Sequence, residues 1–315
     1  MFTAYRALDQ VPPGFGPSAL TIGNFDGVHV GHTRILGEVV GMARRQGWRA
    51  VALTFDPHPT RVVAPERAPR LLTTLETRLR LLEQAGLDAA LVLPFTPEVA
   101  RWEPEEFLRR VVVGALCGRM VAVGANFRFG RGQSGNVEAL REFGGRLGYE
   151  VRVVEPVWRR GELVSSSGIR RWIGEGRVDR AGRLLGRPFA VEGRVVRGHG
   201  VGARRTVPTL NLAPETEVLP GRGVYITCTL EAATGRQWPS VTNVGYRPTF
   251  DGSELSVETF LLRPLEGADP ERIEVSFWRR LRDEKKFDTP EDLRAQILRD
   301  VARAERYWRR LEPRP

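Results

Sequence analysis

At 315 residues, 41% of them apolar, the chain is long enough for two globular domains, and with no apolar run of eighteen residues it is not expected to span a membrane. Its two cysteines, Cys117 and Cys228, stand far apart in unrelated surroundings, which excludes a disulfide framework, and a start without the basic-then-apolar layout of a leader suggests a cytoplasmic protein. The net charge of +10 is carried by Arg scattered among Asp and Glu rather than gathered in a stripe, so neither nucleic acid nor a membrane is the expected partner.

The first predicted strand covers residues 18–22 and hands over to Gly23-Asn24-Phe25-Asp26-Gly27-Val28-His29-Val30-Gly31-His32, after which residues 32–46 read as an amphipathic helix. Amide donors and the positive dipole end make a helix N-terminus an anion site, and two imidazoles beside it can add donors to a phosphoryl group. The pair could instead bind a metal, but no third ligand at familiar spacing accompanies it. Lysine occurs only at Lys285 and Lys286, neither after a glycine, so a Gly-Lys-Ser/Thr phosphate loop is absent.

Further strands are predicted at 49–54, 88–93, 120–124 and 150–156, with helices at 75–85, 104–113 and 137–147 between them. Strands separated by helices of this length imply right-handed βαβ units and a parallel sheet, with ligands beyond the carboxyl ends of the strands. Next comes Ser165-Ser166-Ser167-Gly168-Ile169-Arg170, a second possible phosphate clamp that could equally be a plain helix N-cap.

After Gly186 the text changes to short β-type runs divided by Gly and Pro, at 189–196, 224–230, 240–244, 255–262 and 273–277. They predict a small antiparallel barrel. Thr289, Pro290 and the spacing of Leu293, Ile297 and Val301 predict a closing helix. Within this half, Glu258 is a carboxylate inside a β-type run, either a proton acceptor or an outward solvated group. Pro208-Thr209-Leu210-Asn211 reads locally as a turn, and 283–286 as a solvated charge cluster.

Together these strings resemble the bacterial bifunctional riboflavin kinase/FMN adenylyltransferase (FAD synthetase) family. The resemblance runs through His29–His32, the 54–59 and 124–130 loops, the serine string, Pro208–Asn211, the strand around Glu258 and the closing 281–287 segment. It implies a Rossmann-like α/β nucleotidyltransferase domain over 1–185, then a small antiparallel Greek-key β-barrel with a C-terminal helix over 186–315. The implied substrates are riboflavin, FMN and ATP, with Mg²⁺ as cofactor; no oligomeric state is implied. The alternative is a flavin- or nucleic-acid-binding protein built on degenerate enzyme domains.

For adenylyl transfer the resemblance implies catalytic roles for His29, His32 and Arg170. Nucleotide contacts fall to Gly23, Phe25, Asp26, Gly27, Ser165, Ser166 and Ser167, and a flavin contact to Asn126. For the kinase it implies Glu258 as base, Mg²⁺ on the neutral oxygens of Thr209 and Asn211, and flavin contacts from Arg282, Glu284 and Phe287. Gly198 and Gly202 are the implied phosphate contacts of the kinase loop. The chain departs from the family pattern there, with Ala203 after Gly202 and Thr206 where a second glycine would stand; Arg204 or Arg205 is the expected substitute for the missing charge. Ser167 replaces the family's Thr in the serine string.

Overall fold

The computed structural model describes residues 2–196, 209–249 and 252–311. They fall into two compact units divided between Ser166 and Ser167.

The first unit is built on six parallel strands: β1 (Thr3–Tyr5), β2 (Ser18–Ile22), β3 (Arg49–Asp56), β4 (Ala89–Pro94), β5 (Gly118–Gly124) and β6 (Glu150–Val154), in the order β1-β4-β3-β2-β5-β6. The strands alternate faces, so β3 sends Val51 and Leu53 to one side and Ala50 and Ala52 to the other, all four fully buried. The first face packs on α4 (Pro104–Phe107), its π-helical continuation Leu108–Ala115, and α5 (Val137–Leu147). The second face packs on α1 (Val30–Gln46) and α3 (Leu75–Gln84). Burial on both faces explains the mostly apolar, non-alternating text of the central strands β2, β3 and β4.

Chain order runs outward from β2 through β3 to β4 on one side and resumes at β5 on the other. This reversal lies between β2 and β5, and their carboxyl ends flank the crevice where such sheets bind ligands. Two short elements complete this unit: α2 (Pro59–Val63) and a hairpin of β7 (Trp158–Arg159) and β8 (Glu162–Leu163).

The second unit opens with the helices α6 (Ser166–Gly174) and α7 (Val178–Leu185), and α7 packs against its β-strands. Those strands are β9 (Phe189–Val196), β10 (Thr209–Pro214), β11 (Gly223–Glu231), β12 (Gln237–Thr249), β13 (Gly252–Leu261) and β14 (Arg272–Arg282), closed as an antiparallel barrel in the order β10-β13-β12-β11-β14-β9. Three consecutive strands joined as hairpins, with β10 returning beside β13, form a Greek key. Closure leaves no exposed edge.

The barrel interior holds Tyr225, Val257, Leu261 and Phe277 together with five hydroxyls, all buried. Those of Thr227, Ser240, Thr229, Thr259 and Thr242 form one circuit, with successive Oγ separations of 2.8, 2.9, 3.1, 2.9 and 2.7 Å back to Thr227. Each hydroxyl owns one proton, so five protons serve five bonds when all run in the same sense. Outside the barrel, α8 (Pro290–Leu311) covers Val224, Ile226 and Val241. Thr289 caps it, its Oγ1 accepting from the Asp292 N–H at 3.1 Å.

Candidate active sites

In the first unit the loop after β2 takes an unusual backbone path. Phe25 and Val28 hold positive φ of 48° and 37°, and Gly27 one of 81°, which turns the chain sharply into α1. His29 is the N-cap of that helix, its Nδ1 accepting from the His32 N–H at 3.3 Å. A neutral His29 ring therefore carries its proton on Nε2, as a donor at the positive end of α1. The His29 and His32 rings stack at 3.6 Å, and Phe25 meets His32 edge-on at 5.3 Å. Burial above all, with the positive charge of Arg78 acting in the same sense, holds the His32 pKa well below 6.5, so this imidazole is neutral at pH 7.

Asp26 occupies the turn but aims its carboxylate inward. It accepts from the Leu72 N–H at 2.9 Å and the Thr73 N–H at 3.3 Å, while Thr73 Oγ1 accepts from the Gly27 N–H at 3.2 Å. Ser166, the last residue of this unit, donates its hydroxyl to the Asp26 carbonyl at 3.0 Å. Ser165 precedes α6, Ser167 is exposed on its first turn, and Arg170 lies one turn further along in the second unit.

Beside this turn a cavity of about 350 Å³ opens over the strand ends, a size typical of small-molecule pockets. Gly23 and Asn24 line it after β2, Phe55 at the end of β3, and Asn126, Phe127 and Phe129 after β5. Phe127 and Phe129 are stacked at 5.5 Å, giving the cavity the aromatic walls that suit a planar ring system. Asn126 is thus brought to the same crevice as Gly23. The two loops meet here, the Asn24 amide standing 3.0 Å from His58 Nε2, and Arg78, which nothing in the sequence singles out, supports the first loop from behind through Thr54.

In the second unit the predicted residues converge through strand register. Asn211 of β10 pairs with Glu258 of β13, which pairs on its other side with Asn243 of β12. Leu210 and Val257 point into the barrel, so Asn211 and Glu258 face out, with Thr209 two residues from Asn211 on the same side. A cavity of about 150 Å³ lies between this outer face and α8, lined by Asn243, Glu258, Phe260, Arg282, Glu284 and Phe287 among others. Leu293, Ile297 and Val301 supply the α8 wall. The repeat that predicts the helix is therefore also the repeat that closes the pocket.

Arg282 is held in place by Asp300, its Nε donating to Oδ2 at 2.9 Å while Gln296 donates to Oδ1 at 3.0 Å. Asp300 is 2% exposed, and a buried carboxylate with two donors is a firm anchor. Its guanidinium lies 5.8 Å from the Phe287 ring centre. Asn243 and Asp300 carried no local signal in sequence; only register and helix packing bring them here. Gly198, Gly202, Ala203, Arg204, Arg205 and Thr206 lie outside the described residues. Among the described residues no group of three or more His, Cys, Asp or Glu side chains could hold a metal ion.

Residues 14–168 match the FAD synthetase family and residues 185–308 the riboflavin kinase family. The bifunctional riboflavin kinase/FMN adenylyltransferase of Escherichia coli K12 is 33% identical over 294 residues, 93% of this chain and 94% of that protein. Its Pseudomonas fluorescens counterpart is 34% identical over 306 residues, 95% and 96% of the two chains. A crystal structure described as a macrolide-efflux protein from Streptococcus pneumoniae is similar with a TM-score of 0.85 at 26% identity, over 96% of this chain and 98% of that one. Among the described residues no helix is long and apolar enough to cross a membrane. With both halves matched in the same order, over nearly the whole length of those relatives, the chain belongs to the bifunctional riboflavin kinase/FMN adenylyltransferase family.

Proposed function

We propose that this chain makes FAD in two steps: riboflavin and ATP give FMN and ADP over residues 186–315, then FMN and ATP give FAD and pyrophosphate over residues 1–185. The observation that carries the reading is the row Asn211–Glu258–Asn243, set side by side by strand register, with Glu258 and Asn243 lining a cavity under α8. In the kinase step Glu258 takes the proton of the riboflavin 5′-hydroxyl as its oxygen attacks the γ-phosphorus and ADP leaves. Phe260 and Phe287 flank the flavin ring, with Arg282 and Glu284 at its polar edge. Thr209 and Asn211 fit Mg²⁺, because two neutral hard oxygens on one face of β10 suit an ion that completes its shell with phosphate oxygens and water. Bound there, Mg²⁺ would neutralise charge on the phosphates. Gly198 and Gly202 remain the assigned phosphate contacts of the kinase loop.

In the adenylyl step the nucleophile is an FMN phosphate oxygen, which attacks the α-phosphorus of ATP and expels pyrophosphate. No Ser or Cys nucleophile is needed, and the protein's task is to position two anions and offset their charge. His29 and His32 donate to the phosphates at the α1 N-terminus. The Gly23–Gly27 turn, with Phe25, brings backbone close to the nucleotide. Asp26 shapes that turn, and Ser165, Ser166, Ser167 and Arg170 form the second clamp. Asn126 and the aromatic cavity receive FMN. Cys117 and Cys228 are free thiols, which suits a reducing compartment, and we place the reaction in the cytoplasm.

The test is direct. Purified protein incubated with riboflavin, ATP and Mg²⁺, with flavins separated over time, should yield FMN and then FAD, and omission of Mg²⁺ should stop both. Absence of both products would refute the reading.

A further inference from the structure

Arg78 is 1% exposed and is the largest of the fully buried side chains. Sealing a guanidinium inside a fold costs several kcal/mol unless a partner charge and hydrogen bonds repay it. The repayment here is incomplete. Nη1 donates to Thr54 Oγ1 at 3.3 Å and to the Phe55 carbonyl at 3.2 Å, while Nε has no partner among the described residues. Asp26, Asp56 and Glu76 bear on its charge from a distance, yet none makes an ion pair with it. A buried cation without a contact carboxylate among the described residues leaves its positive charge largely uncompensated, so its field acts on the groups packed around it.

The hydrogen bonds of Arg78 lead to the adenylyl site. Thr54, fully buried at the end of β3, passes its own hydroxyl proton to the Asn24 carbonyl at 3.2 Å. Asn24 in turn lines the aromatic cavity and reaches His58. One guanidinium thus braces the end of β3 and, through Thr54, the loop that presents His29 and His32. Its segment of chain acts from the other side as well, because Leu72 and Thr73, which lead into α3, grip the Asp26 carboxylate. The same positive charge is one of the causes, after burial, that keep His32 neutral.

Resting on the adenylyl-transfer reading of the first unit, we propose that Arg78 is a positioning residue for that step: it holds the phosphate-facing loop from behind and supplies a fixed positive charge to a site that takes up a polyphosphate. It touches neither reactant. A lysine at this position keeps the charge and loses the planar fork, whereas a methionine keeps the bulk and loses both.

The experiment compares wild type, Arg78→Lys and Arg78→Met in the full-length chain. It measures FAD formation from FMN and ATP, FMN formation from riboflavin and ATP, and the NMR titration of His32. Arg78→Met should lower kcat/KM for ATP in FAD formation at least thirty-fold and leave riboflavin phosphorylation within twofold. In that variant His32 should titrate at a higher pH than in wild type. Arg78→Lys should recover most of the lost activity, with His32 titrating as in wild type. FAD formation within twofold of wild type in Arg78→Met overturns the proposal. So does an equal loss in both variants with the His32 titration unmoved, which would make Arg78 a packing residue. A wild type that makes FMN but no FAD strikes the adenylyl-transfer reading itself, before any variant is compared.

Discussion

Replacing Thr259 by Val tests the hydroxyl circuit inside the barrel. The substitution keeps the branched shape and removes one oxygen, so Thr229 and Thr242 each lose a neighbour that stood at 3.1 and 2.9 Å. Around a one-way circuit, one of the two neighbours is left with an unused proton and the other with an unused lone pair, both out of reach of water because all five residues are fully buried. Two net hydrogen bonds at about 1 kcal/mol each, plus an orphaned buried donor at about 1–3 kcal/mol, less the desolvation the valine avoids, leave a cost of about 2–3 kcal/mol. For a unit of this size that is a fall of roughly 4–12 °C in midpoint. The assay is the kinase activity that survives a graded heat step, with FAD formation by the same chain as the internal reference. The decisive comparison is the fivefold variant Thr227→Val, Thr229→Val, Ser240→Ala, Thr242→Val and Thr259→Val. It leaves no orphan, so its cost should stay within about 3 kcal/mol of wild type rather than approach the roughly 12 kcal/mol obtained by adding five single losses. A single substitution costing under about 0.5 kcal/mol, or a fivefold variant costing the sum, would refute the reasoning.

His32→Ala should lower FAD formation by about 10²–10³ and leave FMN formation nearly intact; equal loss of both would mean one shared site. Glu258→Gln keeps the shape of the side chain but cannot take the hydroxyl proton, so riboflavin phosphorylation should fall by about 10²–10⁴ while supplied FMN is still adenylylated. A Gln variant phosphorylating at the normal rate would remove Glu258 from the base role. Gly245→Ala would drive a methyl group onto Glu284 Oε1, with Cδ at 2.9 Å, and should raise the riboflavin KM several-fold by pushing that carboxylate out of the pocket; an unchanged KM would argue that Glu284 does not contact the flavin. Because the folded-state pKa of His32 is depressed, the unfolded chain binds a proton before the folded one as pH falls below 6.5, and stability is lost through that window. Denaturant midpoints measured from pH 7 down to 5 should show this slope in wild type and a flatter one in His32→Asn; parallel slopes would contradict a neutral, buried ring.

The parts of the fold that were legible are those whose signal is local. The runs that became β2 to β6 are rich in apolar residues and separated by amphipathic helices, and residues 137–147 form α5 with the predicted bounds. The edge strand β1 has three residues and no pattern of its own; pairing with β4 makes it a strand. Likewise β10 contains Thr209-Leu210-Asn211, which alone suggests a turn, and becomes a strand because β9 and β13 bond it on both sides. The sites divide in the same way. His29, His32 and Glu258 stood out as chemistry-bearing residues in short strings. Arg78 looked like any helix arginine, since its significance is burial, and Asn243 like any strand residue, since its significance is the partner opposite. Asp26 was visible as part of the turn, but the amides that take up its carboxylate lie 46 and 47 residues further along.

The alternation along β13 ties chemistry to the survival of the fold. Thr259 completes the inner circuit and Glu258 the outer row, so the two residues on which each depends are neighbours in the chain facing opposite ways. A slip of one residue in pairing would exchange them, turning a carboxylate inward among the remaining hydroxyls and leaving the outer row without an acid. The inward carboxylate would cost several kcal/mol, more than the slipped barrel could spare. A misregistered molecule is thus an unfolded one before it is an inactive one, and cellular proteolysis removes it. Inspection of packing alone, by proteases that know nothing of flavins, is enough to keep the surviving population catalytically competent.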